Sequence, residues 1–113
     1  MISELLLLIL LNFYRTKPLL LDNNLSYLAQ QRAEKVYNTK WSHNNWEESF
    51  NNTNCWYMGE NLAKDFDTSW SINTAFLNSP THKENMIKKE YNKIGIGQYK
   101  NIVVELFCGE VYK

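Results

Sequence analysis

The spacing of apolar residues changes along this chain, and the change limits the folds that it can adopt. Apolar side chains recur at helical spacing through much of the first ninety or so residues. The segments Lys93–Gln98 and Ile102–Cys108 then show the pattern of two strands joined by a turn at residues 99–101. Because the second strand is apolar on both faces, we expect it to lie between helix layers, in an α+β or three-layer protein.

The first two helices are predicted from apolar stripes and from their end signals. The first is largely buried, begins near Glu4 and ends before Pro18, with Arg15 and Lys17 suited to its end. The second follows the N-cap oxygens of residues 22–24. Its stripe of apolar residues is Leu25, Leu28, Ala29, Ala33 and Val36.

The later part of the helical region contains one irregular segment and two shorter helices. Residues 38–56 are polar and aperiodic, which predicts a long loop. Thr68 or Ser69 is expected to cap a third helix. Ser79-Pro80 resembles an N-cap followed by proline at the first helical position, so a fourth helix is expected from Thr81 to about residue 89.

Length and charge restrict the class of protein. At 113 residues, the chain is expected to form one domain, residues 1–113. Its formal net charge is zero and it has no long Lys/Arg run, which argues against nucleic-acid binding. The aliphatic run Leu5–Leu11 is too short to span a membrane. Because no basic residue precedes it and no small-x-small site follows, it predicts a buried helix and no clear signal peptide.

The two cysteines leave two interpretations open. Cys55 and Cys108 are the only cysteines in the chain. They are expected to form one disulfide in an oxidising compartment or to be two buried thiols. A bridge would close a loop of more than fifty residues, which is worth about 4 kcal/mol in the chain-entropy model. A zinc site is not expected from them, because the paired spacing of zinc-binding cysteines is missing.

The candidate polar site consists of the two histidines and one carboxylate. His43, Glu60 and His82 are chemically suited to bind zinc or a similar divalent ion, or to transfer protons near neutral pH. The alternative is that both histidines are solvated or satisfied within the core. Gly59 and Asn61 favour a tight turn around Glu60.

Asn61, Ser79 and Glu105 are further candidates for the same site. Ser79 lies three residues before His82, but a capping role explains it better than a nucleophilic one, because no third orienting group is visible. Glu105 interrupts an apolar strand, where a charge must be paired or face a polar cleft. The simpler interpretation of Glu105 is an edge-strand residue that points to solvent.

Taken in order, several segments resemble the CAP superfamily of cysteine-rich secretory, antigen-five and pathogenesis-related-one proteins. Trp41-Ser42-His43 is similar to the first histidine motif of that family. Residues 59–63 match its Gly-Glu-Asn signature. Residues 76–87 resemble the motif of the bacterial-type branch, in which a Trp commonly stands at the position of Phe76. The helices before these motifs and the strands after them are also similar, so the resemblance covers nearly the whole chain.

The resemblance implies an α-β-α sandwich with a central antiparallel sheet and a surface cleft. It implies that His43, Glu60 and His82 converge in this cleft and bind a divalent metal, most often zinc. Many members have a second Glu where this chain has Ser79, so the resemblance does not supply a fourth ligand here.

The resemblance also implies a secreted or cell-envelope protein. We expect a monomer that acts as a binding module for a protein, lipid or cell-wall ligand. The alternative is a metal-assisted hydrolase of peptides, with Glu60 as base and His82 in the active site.

Overall fold

The computed structural model describes residues 2–111 and shows a four-stranded sheet covered by helices on both faces. The helices are α1 (Glu4–Asn12), α2 (Asn23–Asn38), α3 (Ser69–Leu77) and α4 (Pro80–Ile87), with a 3₁₀ helix at Trp46–Phe50. The strands are β1 (Leu20–Leu21), β2 (Cys55–Lys64), β3 (Lys93–Tyr99) and β4 (Ile102–Glu110). Within residues 2–111, no helix combines the length and apolar character that crossing a membrane requires.

The sheet has the order β1-β3-β4-β2, so β4 lies inside it and β2 forms one edge. The three long strands are antiparallel, as the resemblance implied, and the short β1 pairs parallel with β3. Two separate apolar cores lie on the two faces. One contains residues of α1, α3 and α4, and the other contains the stripe of α2. The expected α-β-α sandwich is therefore confirmed.

Alternate residues of β4 supply the two cores, as the two-residue period of a strand requires. Val103 and Phe107 point to the face covered by α1, α3 and α4. Val104 and Leu106 point to α2. Gly95 on β3 allows α2 to approach closely, because a Cβ at this position would collide with the backbone of Leu25.

Three helix starts agree with the sequence prediction. Asp22 caps α2 by accepting from the backbone of Leu25. Thr68 caps α3 in a capping box with Ser71. Ser79 is the N-cap residue of α4, although its side chain makes no capping bond.

Two predicted helix ends were wrong. The first helix ends at Asn12, well before Arg15 and Lys17. Arg15 instead donates to the backbone oxygens of Met86, Lys88 and Tyr91, at 3.0, 2.9 and 2.7 Å, around the C-terminal end of α4. A guanidinium with several donors satisfies carbonyls that a helix end leaves unpaired. The fourth helix ends at Ile87 and not at about residue 89.

The long loop predicted for residues 38–56 is largely confirmed, but the turn predicted at Gly59 was wrong. The 3₁₀ helix interrupts the loop, and β2 begins at Cys55 and continues through Gly59, Glu60 and Asn61. Gly59 does not have a positive φ angle. A Cβ there would collide with the hydroxyl of Tyr91, so close packing requires this glycine and a turn does not.

Cys55 and Cys108 form a disulfide, which decides between the two interpretations left open by the sequence. The bond joins the start of the edge strand to β4, with 5.3 Å between the two Cα atoms. Disulfides of this kind persist in oxidising compartments.

Candidate functional site

Glu60 lies on β2 and points toward α2, where its carboxylate is held by Arg32. The Nε atom of Arg32 donates to one carboxylate oxygen at 2.7 Å, and Nη2 donates to the other at 3.2 Å. The side chains are 4% and 1% exposed, so this is a buried, two-point ion pair. Arg32 was not predicted as a site residue, although its position between Ala29 and Val36 on the apolar face of α2 is a signal that it needs a buried partner.

His43 binds the same carboxylate from the loop that follows α2. Its Nδ1 atom lies 2.9 Å from Oε1 of Glu60, and its side chain is about half exposed. The backbone oxygen of the preceding residue, Ser42, accepts from Nη2 of Arg32 at 3.1 Å, which fixes the loop. Because a carboxylate only accepts, Nδ1 of His43 is the donor in this hydrogen bond, and Nε2 is the ring nitrogen that Glu60 does not engage.

His82 approaches the edge strand from α4, on the other side of the sheet. Its ring stacks on Phe76 with 4.7 Å between ring centroids, and its Nδ1 lies 2.7 Å from Oγ of Ser79. Burial lowers the pKa of His82, and the charge of His43 lowers it further. The two imidazoles are therefore near enough for their charges to interact.

A chain of hydrogen bonds links Tyr91, on the segment after α4, to Glu105 on β4. The hydroxyl of Tyr91 donates to Asn85 at 3.3 Å, and the amide of Asn85 donates to Oδ1 of Asn61 at 2.9 Å. The amide of Asn61 then donates to Glu105 at 3.3 Å and to the backbone oxygen of His82 at 3.2 Å. Asn61 thereby connects the position of His82 to the sheet.

Glu105 is not the solvent-facing edge residue that the simpler interpretation predicted. It lies on the inner strand β4 opposite Asn61, and it is 1% exposed. Burial raises its pKa to about 7, and the bond from Asn61 opposes this effect. The alternative prediction, in which Glu105 faces a polar partner, describes its position.

Some of the predicted site residues contact one another through their side chains, and others are linked only through a neighbouring residue or the backbone. His43 and Glu60 are in direct contact, and Asn61, next to Glu60, contacts the backbone of His82. Ser79 contacts His82, as a hydrogen-bond partner of its ring. Among residues 2–111, no three His, Cys, Asp or Glu side chains are grouped so that they can hold a metal ion.

An α-β-α sandwich with a mainly antiparallel sheet is the fold that the resemblance implied, and Gly59, Glu60 and Asn61 lie on its edge strand. The sequence profile of the cysteine-rich secretory protein family, CAP, matches residues 14–103. The chain belongs to this family. A comparison with curated proteins finds no significant match.

Solved structures of bacterial proteins share the fold. One is an extracellular protein containing an SCP domain from Bacillus anthracis, with a TM-score of 0.87 and 19% identity over 94% of this chain and 40% of that one. Another is a cysteine-rich secretory protein from Staphylococcus aureus, with a TM-score of 0.83 and 15% identity over 92% of this chain and 37% of that one. This chain thus spans about two fifths of the length of these relatives.

Proposed function

We propose that this protein is a secreted CAP-domain binding module whose cleft binds a divalent metal through the two imidazoles. The observation that carries the proposal is that both Nδ1 atoms are already occupied, by Glu60 for His43 and by Ser79 for His82. A histidine that binds a metal through one ring nitrogen commonly donates from the other to a carboxylate or another oxygen. The Nε2 atoms of His43 and His82 would therefore be the ligands.

The donor set fits such an ion only in part. Both oxygens of Glu60 are bound to Arg32 and His43, so Glu60 orients His43 and is not a third ligand. Water or atoms of a partner would complete the coordination of an ion held by two imidazoles. We therefore expect weaker binding than at a structural zinc site with four protein ligands.

Calorimetric titration with zinc tests the metal half of the proposal. We expect heat of binding for the wild-type protein and none for the double variant His43→Gln, His82→Gln. Glu47→Gln, at an exposed position, serves as the matched control. The affinity should weaken below about pH 6, because a bound imidazole must be deprotonated. Equal heats for the double variant and the control would refute metal binding by these histidines.

The same contacts argue against the peptidase alternative. A general base must be able to reach the water or substrate proton that it removes. The carboxylate of Glu60 is 1% exposed and paired at both oxygens, so proton abstraction would require breaking the Arg32 ion pair. We therefore favour a binding module, with a protein, lipid or cell-wall component as its partner. The bacterial relatives described as extracellular or secretory, together with the disulfide, support the proposed secretion.

A further inference from the structure

A polar pocket lies between α2 and the loop that leads from His43 to β2. Its volume is about 310 Å³, near the lower end for small-molecule sites. Arg32 forms part of its wall, so the pocket is adjacent to the ion pair with Glu60. None of the three predicted metal-site residues lines it.

The loop side of this pocket presents polar groups that the protein itself does not use. In the described part of the chain, the side chains of Asn45, Ser49, Asn51 and Asn52 form no hydrogen bonds with one another or with other residues. Each amide offers donors and an acceptor, and the hydroxyl offers both. By contrast, the buried amide of Asn61 on β2 is engaged with protein partners.

The charges around the pocket are already paired. Arg32 is neutralised by Glu60, and Lys35 pairs with Glu48 at 3.3 Å on the rim. Leu28 adds a small apolar surface. The pocket therefore offers many neutral donors and acceptors around a short apolar wall, without an excess of either charge.

We propose that this pocket binds a neutral saccharide of one or two rings. A sugar ring carries hydroxyl groups at its edge, which amides recognise with paired donor and acceptor atoms. Its C–H faces pack on an apolar side chain such as Leu28. A strongly anionic or cationic ligand would find no unpaired side-chain charge among these residues to attract it. The assignment does not depend on a metal in the cleft.

Saturation-transfer NMR with a panel of neutral sugars tests the assignment, in buffer with a chelator so that metal binding plays no part. The panel contains glucose, N-acetylglucosamine, cellobiose, maltose and chitobiose. The informative variant is Asn45→Gly, Asn52→Gly. Both residues have left-handed backbone angles, φ 62° and 66°, which glycine adopts readily, so the amides are removed while the backbone is kept. Lys100→Gly, at φ 55° and away from the pocket, is the control.

We expect saturation transfer to at least one sugar from the wild type and the control, and a several-fold weaker signal from the double variant. If the double variant does not fold, Ser49→Ala, Asn51→Ala removes the other two polar groups and should weaken the same signal. Absence of transfer from the wild-type protein to every sugar would overturn the proposal. Equal transfer from the wild type and the pocket variants would do so as well, and so would tighter binding of glucuronate than of glucose.

Discussion

Replacing Glu105 with glutamine should remove a loss of stability that the wild-type protein shows as the pH rises from about 5 to about 8. The carboxyl group is buried on the inner strand, and within residues 2–111 the amide of Asn61, at 3.3 Å, is its side-chain partner. Burial raises its pKa from 4.5 to about 7. Between these values the folded protein holds a proton that the unfolded chain has released, so the free energy of unfolding falls with rising pH.

The magnitude follows from the two pKa values. Ionising a group whose pKa is raised from 4.5 to about 7 lowers stability by about 3 kcal/mol, at about 1.36 kcal/mol per pH unit. The loss is complete above the folded-state pKa and absent below the unfolded one. His82 acts in the opposite direction, because its pKa is lowered and protonation in acid disfavours the folded state. Both proteins contain His82, so its effect cancels in their difference.

Urea unfolding followed by tryptophan fluorescence, at several pH values between about 5 and about 8, measures this difference. The stability of Glu105→Gln relative to wild type should rise by about 2.5 kcal/mol across that range, since a small part of the loss has already occurred at about pH 5. The free energy of unfolding of Glu105→Gln is also expected to be lower by a constant amount at every pH, because the new amide has donors without assigned partners. Glu47→Gln, at an exposed position, is the control and should follow the wild type. Parallel curves for wild type and Glu105→Gln would refute the buried, proton-binding carboxyl.

Three further perturbations have defined outcomes. Reducing the Cys55–Cys108 bond, which links residues 53 positions apart, should lower stability by about 4 kcal/mol in the chain-entropy model; an unchanged urea midpoint with reductant would contradict this. Arg32→Met removes the buried guanidinium and leaves the carboxylate of Glu60 with His43 as its remaining side-chain partner among the described residues, which should lower stability by about 3–5 kcal/mol in thermal unfolding. A negligible loss would mean that water solvates the carboxylate. Gly59→Ala should lower stability by about 1–3 kcal/mol, because the new methyl group collides with the hydroxyl of Tyr91. Adding Tyr91→Phe should restore part of the loss. If it restores none, the hydroxyl of Tyr91 is not the cause of the destabilisation.

The fold was largely predictable because its signals are local. The caps at Asp22 and Thr68 and the apolar runs of the last two strands each act within a few residues. β2 was not predicted, because its exposed first half and its polar residues Glu60 and Asn61 break the apolar pattern of a strand. It is a strand because β4 pairs with it along its length.

The site was predictable in its chemistry but not in its contacts. Residue type alone indicated that His43, Glu60 and His82 were candidates. The sequence did not indicate that Arg32 would occupy both oxygens of Glu60, since the two residues are 28 positions apart. It did not favour burial of Glu105 either, because the choice between solvent and a polar partner depends on whether β4 is an inner strand.

The bonds from Arg15 to the segment around the end of α4 connect regions that are more than seventy residues apart. The residue that follows the first helix thus completes the hydrogen bonding of the helix that bears His82. Local fraying of that helix at its C-terminal end would require the guanidinium to lose several carbonyl partners together. Loss of the Arg15 side chain is therefore expected to loosen the C-terminal end of the helix that bears His82, so the stability of this site depends on a residue translated near the start of the chain.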